Sequence, residues 1–284
     1  MAKIKQSRNP EYNWLGLNKC PKVTIVTVVY NSVKTIESTI KSVLSQTYEN
    51  IEYICIDGDS TDGTKEIIQK YSSQISKIIS EKDDGIYYAM NKGINLAHGE
   101  WINFMNSGDT FADKSVIENI FKGNLIKSGT NVIFGDSNIL TKAGLFYQKC
   151  NNPFYKSKQL VKGKGFSHQS VFVRVELAKK YHFDLEFEIA ADYKMLYSIY
   201  QNHGGFLYIN RAIANYEVEN GFSKKRQIRA WMEDAKIEGI EDAFRFKIWL
   251  LQKASLFFLK RLISKFVSLV SPGLFLEYKK YKFK

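Results

Sequence analysis

DDGIYYAMNKGINLAHGEWINFMNSGD, residues 83–109, decides the fold. Ile86, Met90, Ile94 and Ala97 recur at three- and four-residue spacing, which predicts a helix. Gly99 is expected to stop that helix. Trp101-Ile-Asn-Phe-Met105 then reads as a short buried strand, and Asn106-Ser-Gly-Asp109 closes it in a turn ending on a carboxylate. Open α/β sheets gather their ligands just past the carboxyl ends of strands, where this carboxylate falls. A hard cation holding a diphosphate requires such an oxygen ligand. Asn, Ser, Gly and Asp are also ordinary turn residues, so the stretch alone leaves a plain surface turn open.

Upstream, Val23-Thr-Ile-Val-Thr-Val-Val-Tyr30 is β-branched and nearly continuous, as a strand covered on both faces should be. Asn31-Ser32 ends it and offers a cap for an amphipathic helix through Val33, Ile36, Ile40, Val43 and Leu44. A second buried strand, Ile51–Ile56, runs into the small and acidic loop Asp57-Gly-Asp-Ser-Thr-Asp-Gly-Thr64. A helix over Lys65–Tyr71 and a third strand over Ile75–Ser80 follow. Strand and helix alternate at βαβ spacing, which predicts an α/β fold with a mostly parallel sheet and right-handed crossovers. Its ligand edge collects Tyr30, Asp57, Asp83 and Asp109, all at strand ends. Asp59 and Asp62 fit turn and cap roles better than ligand roles.

Beyond Thr110 the pattern loosens. Val132–Asp136 and Leu145–Gln148 read as a hairpin pair across Lys142-Ala-Gly144. Residues 161–167, rich in glycine and lysine, read as a mobile loop. His168–Val173 is a predicted strand and Glu176–Tyr181 a short helix. Ile189-Ala-Ala-Asp192 opens a helix to about Asn202, and Phe206–Ala214 gives the last strand. The expected organisation is a leader over 1–21 and a core over 22–215, in two halves, 22–110 and 111–215. A helical tail over 216–284 completes it.

The 284 residues are 44% hydrophobic, enough for a large core. Cys20, Cys55 and Cys150 show no metal-ligand spacing and suggest no disulfide framework. Cys55, in an apolar run, is expected in the core. The first residues lack an apolar h-region, and the expectation is a cytoplasmic protein. Net charge is +12, and residues 245–284 hold ten Lys/Arg against one acid, Glu277. Ile248, Leu251, Phe258, Leu262, Phe266 and Leu269 fall on one helical face there, with charges interrupting every run before membrane-spanning length. An in-plane helix on an anionic membrane fits, on the inner face of the plasma membrane. An ordinary helix covering the core is the alternative. No nucleic-acid module accompanies the charge, so no nucleic-acid partner is expected.

VTIVTVVYN, SVLSQTYENIEYICIDGDSTDGT, SEKDDGIYYAMNKGINLAHGEWINFMNSGD, HQSVF and IAADYKML, in this order, resemble the family 2 glycosyltransferases of bacterial surface-polysaccharide synthesis. The resemblance spans roughly residues 22–215 and implies the GT-A fold, a Rossmann-like sheet flanked by helices, here with a C-terminal helical extension. It implies Thr27 and Tyr30 near the nucleotide base, Asp57 on base or ribose, and Asp83 as a further nucleotide contact. It places Asp109 as ligand of Mn²⁺ or Mg²⁺, His168 and Gln169 near acceptor and diphosphate, and Asp192 as general base. The family's metal motif usually carries two or three aspartates; here only Asp109 remains of Asn106-Ser107-Gly108-Asp109.

Sugar transfer from a nucleotide diphosphate requires charge neutralisation on the leaving group, a carboxylate to take the acceptor proton, and in-line placement. The resemblance therefore implies an inverting transferase using a nucleotide sugar, UDP being the expected nucleotide, and a hydroxyl of a lipid-linked saccharide. Asp192 as a helix-dipole carboxylate and His168 as a core histidine are the plain alternatives. Tyr87 and Tyr88 fit helix packing, and His98, His182 and His203 structural or exposed positions. A non-catalytic GT-A module binding nucleotide sugar or serving as a scaffold is the rival function. A nucleotidyltransferase is disfavoured, because no glycine-rich phosphate loop with Arg or Lys lies near the first strand.

Overall fold

Four strands that the sequence predicts lie side by side. The computed structural model describes residues 20–123, 125–141, 144–150, 165, 167–217 and 226–270. In it β1 (Val23–Val29), β2 (Ile51–Asp57), β3 (Lys77–Ser80) and β4 (Trp101–Phe104) are ordered β3-β2-β1-β4, all parallel. Every β1 residue is buried, because helices cover both faces. Val26, Val28, Ile54 and Ile56 point to Met90 and Ile94 of α3 (Ile86–Leu96). Ile25, Tyr53 and Cys55 point to Ile36, Ile40 and Val43 of α1 (Ile36–Leu44) and Ile68 of α2 (Thr64–Lys70). This is the two-residue strand period expressed as two cores. Val29 pairs with Asp57 and Asp57 with Ser80, so Tyr30, Gly58 and Glu81 leave the sheet along one edge.

Two punctuation marks act differently from expectation. Asn31 and Ser32 do not cap α1, which starts at Ile36. Asn31, at φ +46°, accepts from the Thr61 amide and donates its own to Ser60 Oγ, while the Ser32 amide donates to Thr64 Oγ1. These contacts tie the end of β1 to the loop after β2. Gly99 lies past the end of α3, whose cap is Ala97 in extended conformation. Its role is close approach: a methyl there would lie 2.7 Å from the Lys22 carbonyl oxygen.

After the fourth strand the sheet continues with strands far apart in sequence. β5 (Thr110–Phe111) and α4 (Val116–Phe121), both unforeseen, precede β6 (Val132–Thr141) and β7 (Gly144–Gln148), which form the expected hairpin. Then come β8 (Val171–Arg174), α5 (Val175–Tyr181), α6 (Ala191–Asn202) and β9 (Phe206–Glu217). The order β4-β8-β6-β9-β5 mixes directions: only β6 and β9 run parallel, with a bulge near Asp136. Parallel pairing thus holds for the first half and not the second. His168–Ser170 forms a 3-10 turn instead of the start of a strand, and pairing begins at Val171.

Two helices end the described chain, α7 (Gln227–Glu238) and α8 (Phe244–Val270). Phe246, Trp249 and Leu250 of α8 pack with Ala235 of α7, and Trp231 meets Trp249 edge-on. Away from that contact α8 exposes Phe244, Ile248, Leu251, Leu256, Phe258, Leu259, Leu262 and Ile263. Among the described residues no helix is long and apolar enough to cross a membrane. The leader over 1–19, the loop expected over 161–167 apart from Gly165 and Ser167, and residues 271–284 lie outside the described residues.

Candidate functional site

The exit of β1, β2 and β3 builds the first wall. Tyr30 is 65% exposed, its ring lying over the loop. A methyl on Gly58 would sit 3.4 Å from Tyr30 Cδ2 and 3.6 Å from Asp83 Oδ2, so ring and carboxylate flank one glycine. Lys92 of α3 brings its Nζ to 2.6 Å from both Asp83 Oδ1 and Glu81 Oε1. Asp57 is fully buried; its carboxylate accepts from the Ser60 amide and, at 2.6 Å, from Ser80 Oγ. It organises the loop from below. Thr27 is also fully buried, its hydroxyl 3.0 Å from Tyr53 Oη and donating to the Met105 carbonyl. The expectation of a base contact at Thr27 therefore does not fit: mid-strand, it braces the sheet beneath the edge. Asp62 holds the Thr64 and Val33 amides and Asp59 pairs with Lys65, both turn roles as expected.

The turn after β4 builds the floor. The Asp109 amide donates to the Asn106 carbonyl, and Thr39 of α1 clamps the turn by accepting from the Gly108 amide and donating to the Asp109 carbonyl. Burial pushes the Asp109 carboxyl up to about 7, partly offset by a hydrogen bond from the Gln169 side chain. Asn106 Oδ1 and Gln169 Oε1 are buried with no protein partner. Among the described residues no three His, Cys, Asp or Glu side chains group to hold a metal ion. A desolvated carboxylate with partnerless amide oxygens nearby nonetheless suits a hard, oxygen-seeking cation whose remaining ligands are phosphate oxygens and water.

The second wall is α6. Asp192, in its first turn, is 4% exposed, and Oδ1 accepts from the Tyr193 amide. Oδ2 lies 3.8 Å from His168 Nδ1. The far side of that ring is 3.1 Å from Asn106 Nδ2, so the amide donates to Nε2 and leaves the ring proton on Nδ1, facing Asp192. Asn106, His168 and Asp192 thus form one line from the β4 turn to α6. Gln169 is tied to β4 through its backbone, whose carbonyl accepts from Asn103 Nδ2. The His168 ring bridges the two walls, with its side chain 28% exposed.

Tyr87 is packing, stacked on Phe183 at 5.3 Å with its hydroxyl donating to the Ile189 carbonyl. His98, His182 and His203 meet Glu52, Asn95 and Tyr181 away from the site. Sequence reasoning missed Lys92 and Glu233. Lys92 follows Asp83 on the next helix and carried a weak charge-pairing signal. Glu233 accepts backbone amides of Glu188, Ile189 and Ala190, a contact across the fold with no local signature.

A model of the family described as Glycosyl transferase family 2 matches residues 24–181. A glycosyltransferase of Mycobacterium tuberculosis is 30% identical over 182 residues, 63% of this chain and 69% of that one. The putative teichuronic acid biosynthesis glycosyltransferase TuaG of Bacillus subtilis is 37% identical over 92 residues, 31% of this chain and 36% of that one. Among solved structures, Staphylococcus aureus TarS with UDP-GlcNAc superposes at TM-score 0.60 and 18% identity, covering 76% of this chain and 66% of that one. The mannosyltransferase PcManGT of Pyrobaculum calidifontis with GDP-Man and Mn²⁺ gives TM-score 0.60 at 15% identity, covering 90% of this chain and 83% of that one. These likenesses show the GT-A fold.

Proposed function

Because the chain belongs to glycosyl transferase family 2, we propose that residues 22–215 transfer a sugar, with inversion, from a nucleotide-diphosphate sugar to a hydroxyl of a saccharide. The observation that carries this is the Asn106–His168–Asp192 line joining the diphosphate turn to a buried helix-terminal carboxylate. UDP is the proposed nucleotide, supported by the UDP-GlcNAc bound by TarS. Tyr30 stacks on the base and Asp83 meets the ribose, while Asp57 holds Ser60 and Ser80 beneath them. Asp109, with the Asn106 and Gln169 amide oxygens, would hold Mn²⁺ or Mg²⁺, which supplies charge neutralisation at the leaving diphosphate.

The acceptor oxygen attacks the anomeric carbon as the bond to the diphosphate oxygen breaks, and its proton passes to Asp192 Oδ2. The electron pair leaves on the nucleoside diphosphate, so one displacement inverts the centre. His168 Nδ1–H faces Asp192 Oδ2 and orients it, and Gln169 lies between acceptor and diphosphate. The acceptor we propose is lipid-linked, with α8 resting its exposed apolar face on an anionic bilayer at the inner side of the plasma membrane. The putative role of TuaG in teichuronic acid biosynthesis supports a saccharide acceptor.

Titrating UDP and GDP into the protein with and without Mn²⁺ tests the donor site, and Asp192→Asn tests the base. Expected are Mn²⁺-dependent UDP binding that Asp109→Ala abolishes, and turnover about 10²–10⁴-fold lower in Asp192→Asn with UDP affinity kept. GDP preferred over UDP would change the donor. Absence of binding to either nucleotide would leave a scaffold role.

A further inference from the structure

We infer that Glu233 of α7 is a positioning residue for Asp192: it fixes the turn from which the catalytic carboxylate projects. The inference rests on the reading of Asp192 as the base. α6 begins without help from its own sequence, because Ala190 stands at its N-cap and supplies no side-chain acceptor. The acceptor comes from another element. Glu233 Oε2 takes the Ile189 and Ala190 amides, both at 2.9 Å, and Oε1 takes the Glu188 amide at 3.1 Å. Three successive backbone donors converge on one carboxylate that is itself 8% exposed. Asp192 follows two residues later.

The carboxylate is in turn held. Arg229 donates from Nε to Glu233 Oε1 at 3.1 Å, and its Nη1 lies 2.7 Å from Glu188 Oε2. Arg226 also meets Glu188. Lys236 pairs with Glu186 and lies over the Phe187 ring. Each residue from Glu186 to Ala190 therefore contacts α7, and Tyr193, just past Asp192, donates its hydroxyl to Glu238. From the opposite side Tyr87 Oη donates to the Ile189 carbonyl. Oε2 thus supports the backbone of the residues leading directly into the helix turn that bears Asp192. A brace serving only to dock α7 would not need to receive three consecutive amides of that one turn.

Glu233→Ala and Glu233→Gln in the full chain separate the possibilities. Gln keeps one carbonyl oxygen for Ile189 and Ala190 and loses the acceptor for Glu188 and Arg229. Hydrogen exchange at the amides of 188–190 is read first, without substrate. It should quicken by about tenfold in Glu233→Ala, as expected for lost hydrogen bonds, and less in Glu233→Gln. Turnover of the donor selected by nucleotide titration should then fall about a hundredfold in kcat in Glu233→Ala, with partial rescue in Glu233→Gln. Donor KM and nucleotide affinity should stay within about twofold, because the nucleotide wall rests on other strands. Unchanged exchange at 188–190 would overturn the inference. So would faster exchange there with unaltered kcat, or a uniform rise in exchange through β1 and β2 with parallel loss of nucleotide affinity, which marks a purely structural residue. Full turnover in Asp192→Asn would instead remove the base assignment, while the exchange result still reports whether Glu233 holds the turn.

Discussion

Asp109 concentrates the chemistry of the turn after β4 in one titration. Its carboxyl is raised from 3.8 to about 7 by burial, so the fold keeps a proton that the unfolded chain has already released. Stability from this group is fully present below pH 4 and declines as pH rises through 7, the reverse of a salt-bridged aspartate. In cation-free protein at pH 8, Asp109→Asn should therefore be more stable than the parent, on the order of 2 kcal/mol after allowing for partial exposure. The two should converge near pH 4. Urea denaturation at both pH values checks this, and a less stable variant at pH 8 would contradict it. Mn²⁺ should stabilise the parent alone, since it replaces the proton on the carboxylate. The sequence placed Asp109 at a strand end correctly but could not reveal its desolvation, nor the Gln169 hydrogen bond that partly offsets it from sixty residues away.

At the scale of elements, the contact of α3 with β1 sets how closely a helix can approach the sheet. A methyl on Gly93 would lie 2.5 Å from Val26 Cγ1, with that side chain fully buried. Overpacking of about 1–3 kcal/mol should exceed the helix-propensity gain of up to about 1 kcal/mol for Gly93→Ala. A net loss of about 1–2 kcal/mol in thermal denaturation is expected, reduced when Val26→Ala supplies the space. The existence of α3, β4 and the three strands before them was legible because each carries its period locally. β5 was not: two residues have no period, and Thr110 and Phe111 become a strand only by pairing with Asn215 and Ala214. The start of α1 was misread because Asn31 and Ser32 serve a loop thirty residues away in preference to the next helix. Thr27 was misplaced because the resemblance assigns it by its position in the first motif, and position in a motif does not report burial. Asp192 was named through resemblance; the contacts of Glu233 with the residues just before it were hidden because each acid reads locally as an ordinary helical one.

At the scale of the molecule, α8 stands out by what it leaves uncovered. Leu251 is 69% exposed and Leu262 66%, on the side away from α7. Bound to anionic vesicles, this face should lose water, and co-sedimentation should weaken with salt. Replacing Leu251 and Leu262 together with Glu should weaken vesicle binding at least about tenfold while nucleotide affinity stays unchanged. Unaltered binding would place the attachment elsewhere. Thr110 and Asn215, paired across the edge of the sheet, carry a consequence for synthesis. Asn215 Nδ2 donates to Thr110 Oγ1, 105 positions earlier in the chain, and this clamp follows directly on the turn of Asp109. A ribosome adding about 5–20 residues per second releases the turn roughly 5–20 s before its clamp exists. A nascent chain can therefore assemble β1 to β4 early, with Thr39 of α1 holding the turn until the edge strand that follows it finds its partner.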